Sequence, residues 1–333
     1  MITELLAPKL ADVRKHIMID GAARENTHLT LSHWPSSPTP PHLRRDLSFE
    51  IVMEYLQSVR RRSFFGGRTF YQHDTGYVTI DHLDEDGILS VFAFLNPEIA
   101  FRNQALLTHA ARLGDFNIAS FTPADTLTFA LRFLLDPDRS YLSYTENPDL
   151  FISKSFTSLC GMITQFLEGQ KVFLDEAEAE AKAFRRSHSS FVSGTSAIKE
   201  IPELSLAVVT VGMPESMEGS RLKANCDIGI HPAAIHTLTG MARIMVLHPD
   251  GLFYYDRYET WVRFMSKKLP RRVNLELMAA KLNSEEQDTV WYGDSPGEPI
   301  ACFYAADRKS AKLSQKRVTD FICNYLGENS TDY

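Results

Sequence analysis

The chain has 333 residues, of which 44% are hydrophobic and 23% are charged, as is typical of a globular protein large enough for two domains. Its formal net charge of −7 argues against an extended surface for nucleic acid or for an anionic membrane. The four cysteines form no C-x-x-C pair, and neither an N-terminal signal nor a long apolar run is present. These features predict a reduced, cytoplasmic protein that does not enter a membrane.

The first part of the chain alternates strand-like and helix-like segments. Residues 28–34 are predicted to form a strand, residues 43–56 an amphipathic helix, and residues 77–80 a buried strand. A strand, a helix and a strand in this order predict a right-handed crossover and a parallel sheet. Ligand sites in such sheets lie beyond the carboxyl ends of the strands, where His33 and His82 fall.

Helices are predicted to dominate the next part of the chain, and a serine-rich stretch at residues 187–196 is predicted to be a linker. The fold class that follows is α/β, with a mainly parallel sheet flanked by helices and a second, smaller α+β domain. We place the first domain, with its helical connector, at 1–186 and the second at 197–333. The predicted helices are 88–95, 103–113, 123–135, 149–186, 275–282 and 310–326, and the predicted strands of the second domain are 204–211, 243–247, 252–255, 290–292 and 300–304.

An acidic turn joins the strand at 77–80 to the helix that follows it. His82, Asp84 and Asp86 occupy alternate positions, so an extended backbone would direct their side chains to one side. Carboxylate oxygens beside an imidazole suit Mn²⁺, Mg²⁺ or Zn²⁺, and the start of a helix favours an anion such as phosphate. The alternative is that Asp86 only caps the helix.

Together with Gly87 and Ser90, this turn resembles the first motif of the DHH phosphoesterase superfamily. The resemblance implies a pair of divalent metal ions, with Mn²⁺ expected before Mg²⁺ or Zn²⁺, that activate water against a phosphoester. Asp115 follows an alanine-rich segment containing a glycine, as a later metal-binding aspartate does in that superfamily. If Asp115 faces a metal ion, His109 could replace the absent histidine of the superfamily's Asp-His-His triplet. The whole chain also resembles a bacterial protein family of uncharacterised function.

Two residues of the second half are candidates for binding a substrate phosphate. His231 lies in a segment similar to the glycine-rich histidine motif that follows the DHH domain, although it also suits an ordinary helix start. Arg272 precedes a predicted helix and could bind phosphate through two hydrogen bonds, whereas a solvated surface position is the alternative.

These observations predict a divalent-metal-dependent phosphoesterase that acts on a small phosphorylated metabolite or nucleotide. The metal ligands would be His82, Asp84 and Asp86, completed by Asp115 and His33. No Asp-His-His triplet occurs in the chain, so the alternative is a non-catalytic binding or scaffold protein that retains a DHH-like fold. A metal-dependent hydrolase acting on another bond is a third interpretation. The pattern does not predict an oligomeric state.

Overall fold

The computed structural model describes residues 4–6, 8–64, 76–136, 138–142, 148–212, 221–223, 226–249, 251–286, 289–306 and 313–329. The chain divides into two compact units. The first contains Met1–Ala181 and Arg263–Ser266, and the second contains Lys182–Val262 and Lys267–Tyr333. The first unit therefore includes a short segment from late in the sequence.

The first unit is built on a four-stranded parallel sheet with the strand order β1-β4-β2-β3. Its strands are β1 (Glu4–Leu5), β2 (His16–Ile19), β3 (Thr27–Leu31) and β4 (Tyr77–Ile80). Its helices are α1 (Pro8–Ala11), α2 (Ser48–Phe64), α3 (Glu85–Leu95), α4 (Pro97–Arg102), α5 (Gln104–Phe116), α6 (Pro123–Leu135), α7 (Pro148–Leu167) and the start of α8 (Leu174–Val192). Because the strands are parallel, their carboxyl ends meet at one edge of the sheet, where ligand sites occur in such folds.

The sequence analysis missed two strands of this sheet, β1 and β2, and of these β2 lies inside the sheet. Its four residues are all buried, so it lacks the alternation of polar and apolar positions that predicts a strand. It pairs with β3 on one side and with β4 on the other. The two strands that we predicted, β3 and β4, are therefore separated by β2, and the residue after β2, Asp20, lies between their ends.

Helix α3 is buried along nearly its whole length, from Glu85 to Phe94. A helix that is apolar on all sides requires neighbours on all sides, and α2, α5 and strand β4 pack against it. Burial of each large apolar side chain contributes about 1.5–3 kcal/mol. This packing fixes the first turn of α3, which carries the acidic residues.

Helix α5 continues past Gly114, where we predicted that it would end. It runs to Phe116 and ends at Asn117, which adopts a left-handed backbone with φ of 53°. A Cβ atom at Gly114 would lie only 2.7 Å from the Cβ atom of Glu85. This glycine therefore permits close packing of α5 on α3 rather than ending the helix.

The second unit contains a six-stranded mixed sheet with the order β11-β12-β10-β9-β6-β5 and a two-stranded ribbon, β7-β8. Only the pairing of β6 with β9 is parallel among the described strands of the large sheet. The strands predicted at 243–247 and 252–255 are confirmed as β9 and β10, which pair in antiparallel fashion. The elements are β5 (Ala197–Ile201), β6 (Leu206–Thr210), β7 (Arg221–Lys223), β8 (Cys226–Asp227), α9 (Pro232–His236), β9 (Arg243–His248), β10 (Gly251–Asp256), α10 (Leu275–Asn283), β11 (Trp291–Gly293), β12 (Cys302–Ala305) and α11 (Gln315–Asn329).

The α/β class is confirmed, whereas the mainly parallel arrangement applies to the first sheet and not to the second. The predicted linker at 187–196 is partly helical, because α8 extends to Val192 and the division between the units follows Ala181 inside that helix. None of the helices in the described part of the chain has the length and apolar character needed to cross a bilayer.

Candidate metal centre

Polar side chains gather where three parallel strands end. Asp20 directly follows β2, His33 lies two residues beyond β3, and His82 lies two residues beyond β4. Asp20 is 1% exposed and has a positive φ of 45°, an uncommon conformation for a residue other than glycine. The sheet therefore places groups from distant parts of the sequence at one point.

Two groups of potential metal ligands form at this edge, and they share Asp20. The first consists of Asp20, His82 and Asp84, and the second of Asp20, His33 and Asp86, with the ligand atoms of each group within 4.8 Å of one another. The two oxygens of Asp20 face different groups: Oδ2 lies 3.8 Å from His82 Nε2, and Oδ1 lies 3.6 Å from His33 Nε2. Within the first group, His82 Nε2 is 2.7 Å from Asp84 Oδ2. These are the oxygen and imidazole donors that divalent cations such as Mn²⁺ accept.

Asp115 reaches the second group from helix α5. Its Oδ2 atom lies 3.3 Å from His33 Nε2, and its side chain is 4% exposed. This oxygen has no hydrogen-bond partner among the described residues. A buried carboxylate oxygen without a hydrogen bond destabilises the folded state unless a proton or a cation satisfies it.

The two aspartates of the acidic turn cap different helices. Asp84 is the N-cap of α3 and accepts a 2.8 Å hydrogen bond from the backbone N–H of Gly87. Asp86 instead accepts hydrogen bonds of 2.7 and 2.9 Å from the backbone N–H groups of Ser48 and Phe49, at the start of α2. Our capping alternative for Asp86 named the wrong helix, because α2 begins beside the turn.

The centre leaves no room for a side chain at Gly87. A Cβ atom there would lie 2.5 Å from Ile80 Cδ1, 3.0 Å from Asp84 Oδ1 and 3.1 Å from Asp20 Oδ2. Ser90, one turn further along, is fully buried and its hydroxyl lies 3.5 Å from Asp86 Oδ1. Both small residues of the motif therefore touch the ligand groups.

The tautomer of His33 is set by the chain around it. Its Nδ1 atom lies 2.6 Å from the backbone carbonyl oxygen of Asp46, which can only accept, so Nδ1 carries the proton. The Nε2 lone pair of the neutral ring then faces Asp20 and Asp115. Ser48 holds both His33 and Asp20, because its hydroxyl accepts a hydrogen bond from the His33 backbone N–H and donates one to Asp20 Oδ1 at 2.6 Å.

The buried carboxylates repel one another. Burial, together with the neighbouring Asp84 carboxylate, raises the pKa of Asp20 to about 7. Burial and the surrounding carboxylates also raise the pKa values of Asp86 and Asp115 well above their usual range. A divalent cation would offset this accumulation of negative charge, as protons do in its absence.

The pKa values of His33 and His82 are shifted in opposite directions. Burial lowers the pKa of His33 to about 4, so its ring is neutral and suited to bind a metal ion at neutral pH. Burial also disfavours the charged form of His82, but the Asp84 and Asp20 carboxylates outweigh it and raise the His82 pKa to about 10. His82 therefore balances part of the negative charge when no metal ion is bound.

A family model matches residues 7–321, a range that spans both units and includes every candidate ligand. The chain belongs to this family. It is the family of unknown function DUF6687, so membership assigns neither an activity nor a cofactor. No curated protein matches the chain.

Besides Asp115, three predicted site residues are members of neither ligand group. His109 lies on an exposed position of α5, six residues before the buried Asp115, and this spacing places the two on different sides of the helix. His231 is fully buried in the second unit, where it is the N-cap of α9 and its Nδ1 accepts from the Ala233 backbone N–H. We therefore correct the catalytic assignment of His109 and describe His231 as a capping residue.

Arg272 also has a structural role. Its guanidinium donates five hydrogen bonds, and this leaves no free donor for phosphate. A role in phosphate binding would require these bonds to break, so we withdraw the assignment. The acceptors are the hydroxyl of Thr260 and the carbonyl oxygens of Arg257, Pro296, Glu298 and Pro299.

The sequence analysis missed Asp20 and its partner Ser48. Asp20 ends a short apolar run and precedes Gly21, just as Asp81 ends the run of β4. That parallel was the available signal, and a search for short apolar runs ending in aspartate would have found it. Ser48 carries no local signal, because its role depends on contacts with His33 and Asp20 across the sequence.

Proposed function

We propose that the chain is a divalent-metal-dependent phosphoesterase, similar to the DHH superfamily, that hydrolyses a small phosphorylated metabolite or nucleotide. The observation that carries this proposal is the sharing of Asp20 between two groups of ligand atoms. Pairs of metal ions about 3.5–4 Å apart are used by phosphatases and nucleases to stabilise both the attacking and the leaving oxygen. A carboxylate with one oxygen toward each group, as in Asp20, would contribute a ligand to both ions of such a pair.

Each residue has a defined part in this proposal. His82, Asp84 and Asp20 Oδ2 would hold one ion, and His33, Asp86 and Asp20 Oδ1 would hold the other, with Asp115 beside His33. Asp86 can bind an ion while it caps α2, because a carboxylate offers about four lone-pair sites. When bound, the ions would lower the pKa of water and offset charge on the phosphoryl oxygens.

Mn²⁺ is the first candidate for the ion. Each ligand group combines two aspartate carboxylates with one imidazole, whereas Mg²⁺ prefers oxygen ligands alone and structural Zn²⁺ sites favour cysteine and histidine. Mg²⁺ and Zn²⁺ are therefore the second candidates.

The surroundings favour an anionic substrate that arrives from one side. Helices α2 and α3 both begin at the centre, and the partial positive charge of a helix N-terminus attracts phosphate. The His82 and Asp84 side chains are 39% and 28% exposed, while His33 and Asp20 are almost completely buried. Substrate would therefore meet the first ligand group before the second.

The alternative function is a non-catalytic binding or scaffold protein. One observation favours it: His82 and Asp84 already form a 2.7 Å ion pair, and Asp86 already accepts two backbone hydrogen bonds. These contacts partly satisfy the acidic turn without a metal ion. The missing Asp-His-His triplet points the same way.

Metal analysis of the purified protein separates the two functions. We expect wild-type protein to bind Mn²⁺ and to hydrolyse a general phosphodiester or phosphomonoester, and we expect Asp20→Asn to weaken Mn²⁺ binding by at least about tenfold. Asp175→Asn, an exposed carboxylate in the first turn of α8, is the matched control and should leave both measurements unchanged. A wild-type protein that binds no divalent metal and hydrolyses neither substrate class would leave the scaffold interpretation.

A further inference from the structure

Asp46, which precedes α2, binds a segment that lies 219 residues further along the chain. Its Oδ1 atom accepts hydrogen bonds of 2.6 and 2.9 Å from the backbone N–H groups of Met265 and Ser266. Its Oδ2 atom accepts a third hydrogen bond from the Ser266 hydroxyl. Asp46 is 6% exposed, so these donors compensate for burial of its charge.

Asp46 and the segment that it binds both form hydrogen bonds with His33. The backbone carbonyl of Asp46 accepts the 2.6 Å hydrogen bond from His33 Nδ1–H, and the backbone N–H of Arg263 donates a 2.8 Å hydrogen bond to the His33 carbonyl. His33 is thus fixed at its ring by Asp46 and at its backbone by the segment that Asp46 binds.

The segment Arg263–Ser266 also contacts the loop that follows His33 and the residue that follows Asp115. The Arg263 guanidinium donates to the carbonyl oxygens of Pro35 and Ser37 at 2.7 and 3.0 Å, in the loop that follows His33. The ring of Phe264 packs edge-on against Phe116, the residue after Asp115, with centroids 5.4 Å apart. The segment therefore contacts the chain beside both His33 and Asp115.

We propose that Asp46 is a positioning residue that, with the segment Arg263–Ser266, holds His33 as a metal ligand. The proposal rests on the proposed metal centre and extends it to residues that bind no metal themselves. Its physical basis is that a histidine ligand needs its second nitrogen protonated and anchored so that the first directs its lone pair at the ion. The Asp46 carbonyl supplies that anchor, and the three hydrogen bonds to the Asp46 side chain keep the carbonyl in place.

The two cation positions should respond differently to a loss of this anchor. The second position includes His33, whereas the first is formed by His82, Asp84 and the shared Asp20. Asp46 and Arg263–Ser266 make no contact with His82 or Asp84 among the described hydrogen bonds. A positioning role therefore predicts a defect at one position, whereas general unfolding would weaken both.

The experiment compares Asp46→Ala with Asp46→Asn in the full chain. Asp46→Asn keeps an oxygen for the two backbone N–H groups, and the Ser266 hydroxyl can rotate to accept from its amide. We expect Asp46→Ala to weaken one of two Mn²⁺ sites by about 10- to 100-fold, as outer-shell substitutions typically do, and Asp46→Asn to restore most of the affinity. The readout is Mn²⁺ titration followed by electron paramagnetic resonance and calorimetry.

A second readout works without metal. Nitrogen-15 NMR of the histidine rings in metal-free protein reports the His33 tautomer, which we expect to be Nδ1–H in wild type and Asp46→Asn, and mixed in Asp46→Ala. An equal loss at both Mn²⁺ sites, or an unchanged His33 tautomer in Asp46→Ala, would overturn the proposal. If wild type binds no Mn²⁺, the proposed function fails, while the NMR comparison still decides whether Asp46 positions His33. Should Asp46→Ala not fold, Ser266→Ala removes one of the three hydrogen bonds and serves in the same two measurements.

Discussion

The Asp86 carboxylate accepts a 2.7 Å hydrogen bond from the backbone N–H of Ser48, which lies 38 residues earlier in the sequence. This bond joins the first turn of α3 to the start of α2. The hydroxyl of the same serine donates to Asp20 at 2.6 Å. The hydrogen bonds of Ser48 therefore join α2 to α3 and also fix two candidate metal ligands, Asp86 and Asp20.

Asp86→Ala should destabilise the metal-free protein more than Asp84→Ala. Asp86 loses two buried hydrogen bonds to backbone N–H groups, a loss of roughly 2–3 kcal/mol after relief of the repulsion from neighbouring carboxylates. The Asp84→Ala variant loses one helix cap and a partly exposed ion pair with His82, at a cost of roughly 1–2 kcal/mol. Urea unfolding of both variants measures the difference, and equal losses would show that Asp86 does not anchor α2.

Gly87→Ala should weaken Mn²⁺ binding and lower stability. The new methyl group would meet Ile80, Asp84 and Asp20 at 2.5–3.1 Å, so the ligand oxygens must move. Gly161→Ala in helix α7 is the matched control, because a Cβ atom there meets nothing within 4 Å and alanine favours a helix by about 1 kcal/mol. Thermal unfolding and Mn²⁺ titration of both variants make the comparison. A Gly87→Ala protein with wild-type affinity would contradict the close packing at this position.

Arg132→Met should destabilise the first unit strongly. Arg132 bridges Glu85 and Glu180 at 2.6 and 2.9 Å and donates to the carbonyl oxygens of Leu113 and Gly114, beside Asp115. Its removal leaves two almost completely buried carboxylates without their cation, at a cost of roughly 3–5 kcal/mol.

The control for Arg132 is Arg317→Met, which breaks the exposed ion pair with Glu285. Such surface pairs contribute about 0–1 kcal/mol. Chemical unfolding of the two variants should therefore differ by several-fold in the free energy lost. A loss at Arg132 as small as that at Arg317 would mean that the buried network carries little of the stability.

The stability of the metal-free protein should fall as the pH rises above about 6.5. Burial raises the pKa values of Asp20, Asp86 and Asp115, so the folded state holds protons that the unfolded chain has already released. Attraction to the Asp84 and Asp20 carboxylates keeps His82 protonated up to about pH 10, which acts in the same direction. His33, whose pKa is lowered to about 4, opposes this trend only below about pH 6.5, because above it the ring is neutral in both states.

Each extra proton held by the folded state lowers the free energy of unfolding by on the order of 1 kcal/mol per pH unit. Unfolding in a chelator, measured between about pH 6.5 and pH 9, should show this decline. Excess MnCl₂ should make the decline shallower, because a bound cation replaces the protons. A metal-free protein whose stability is constant across this range would show that the carboxylates are ionised without cost.

Local sequence predicted much of the first unit. The strand at Tyr77–Ile80, the acidic turn and the buried helix after it follow from hydrophobic periodicity, which is encoded within a few residues. The structure also brings His33, His82, Asp84, Asp86 and Asp115 close together, since the ends of parallel strands must meet at one edge of a sheet.

Only the tertiary structure decided the rest. The buried strand that carries Asp20 has no alternation to identify it, because it lies between two other strands. Asp86 caps a helix that begins 38 residues before it, and Asp46 binds a segment 219 residues after it. Such partners are determined by packing and not by neighbouring residues in the sequence. For the same reason, the residues around Arg272 do not indicate that its guanidinium donates to a distant loop, at Pro296 and Pro299. Local pattern determined most of the helices and strands, and long-range packing determined the buried strand β2 and which polar groups meet.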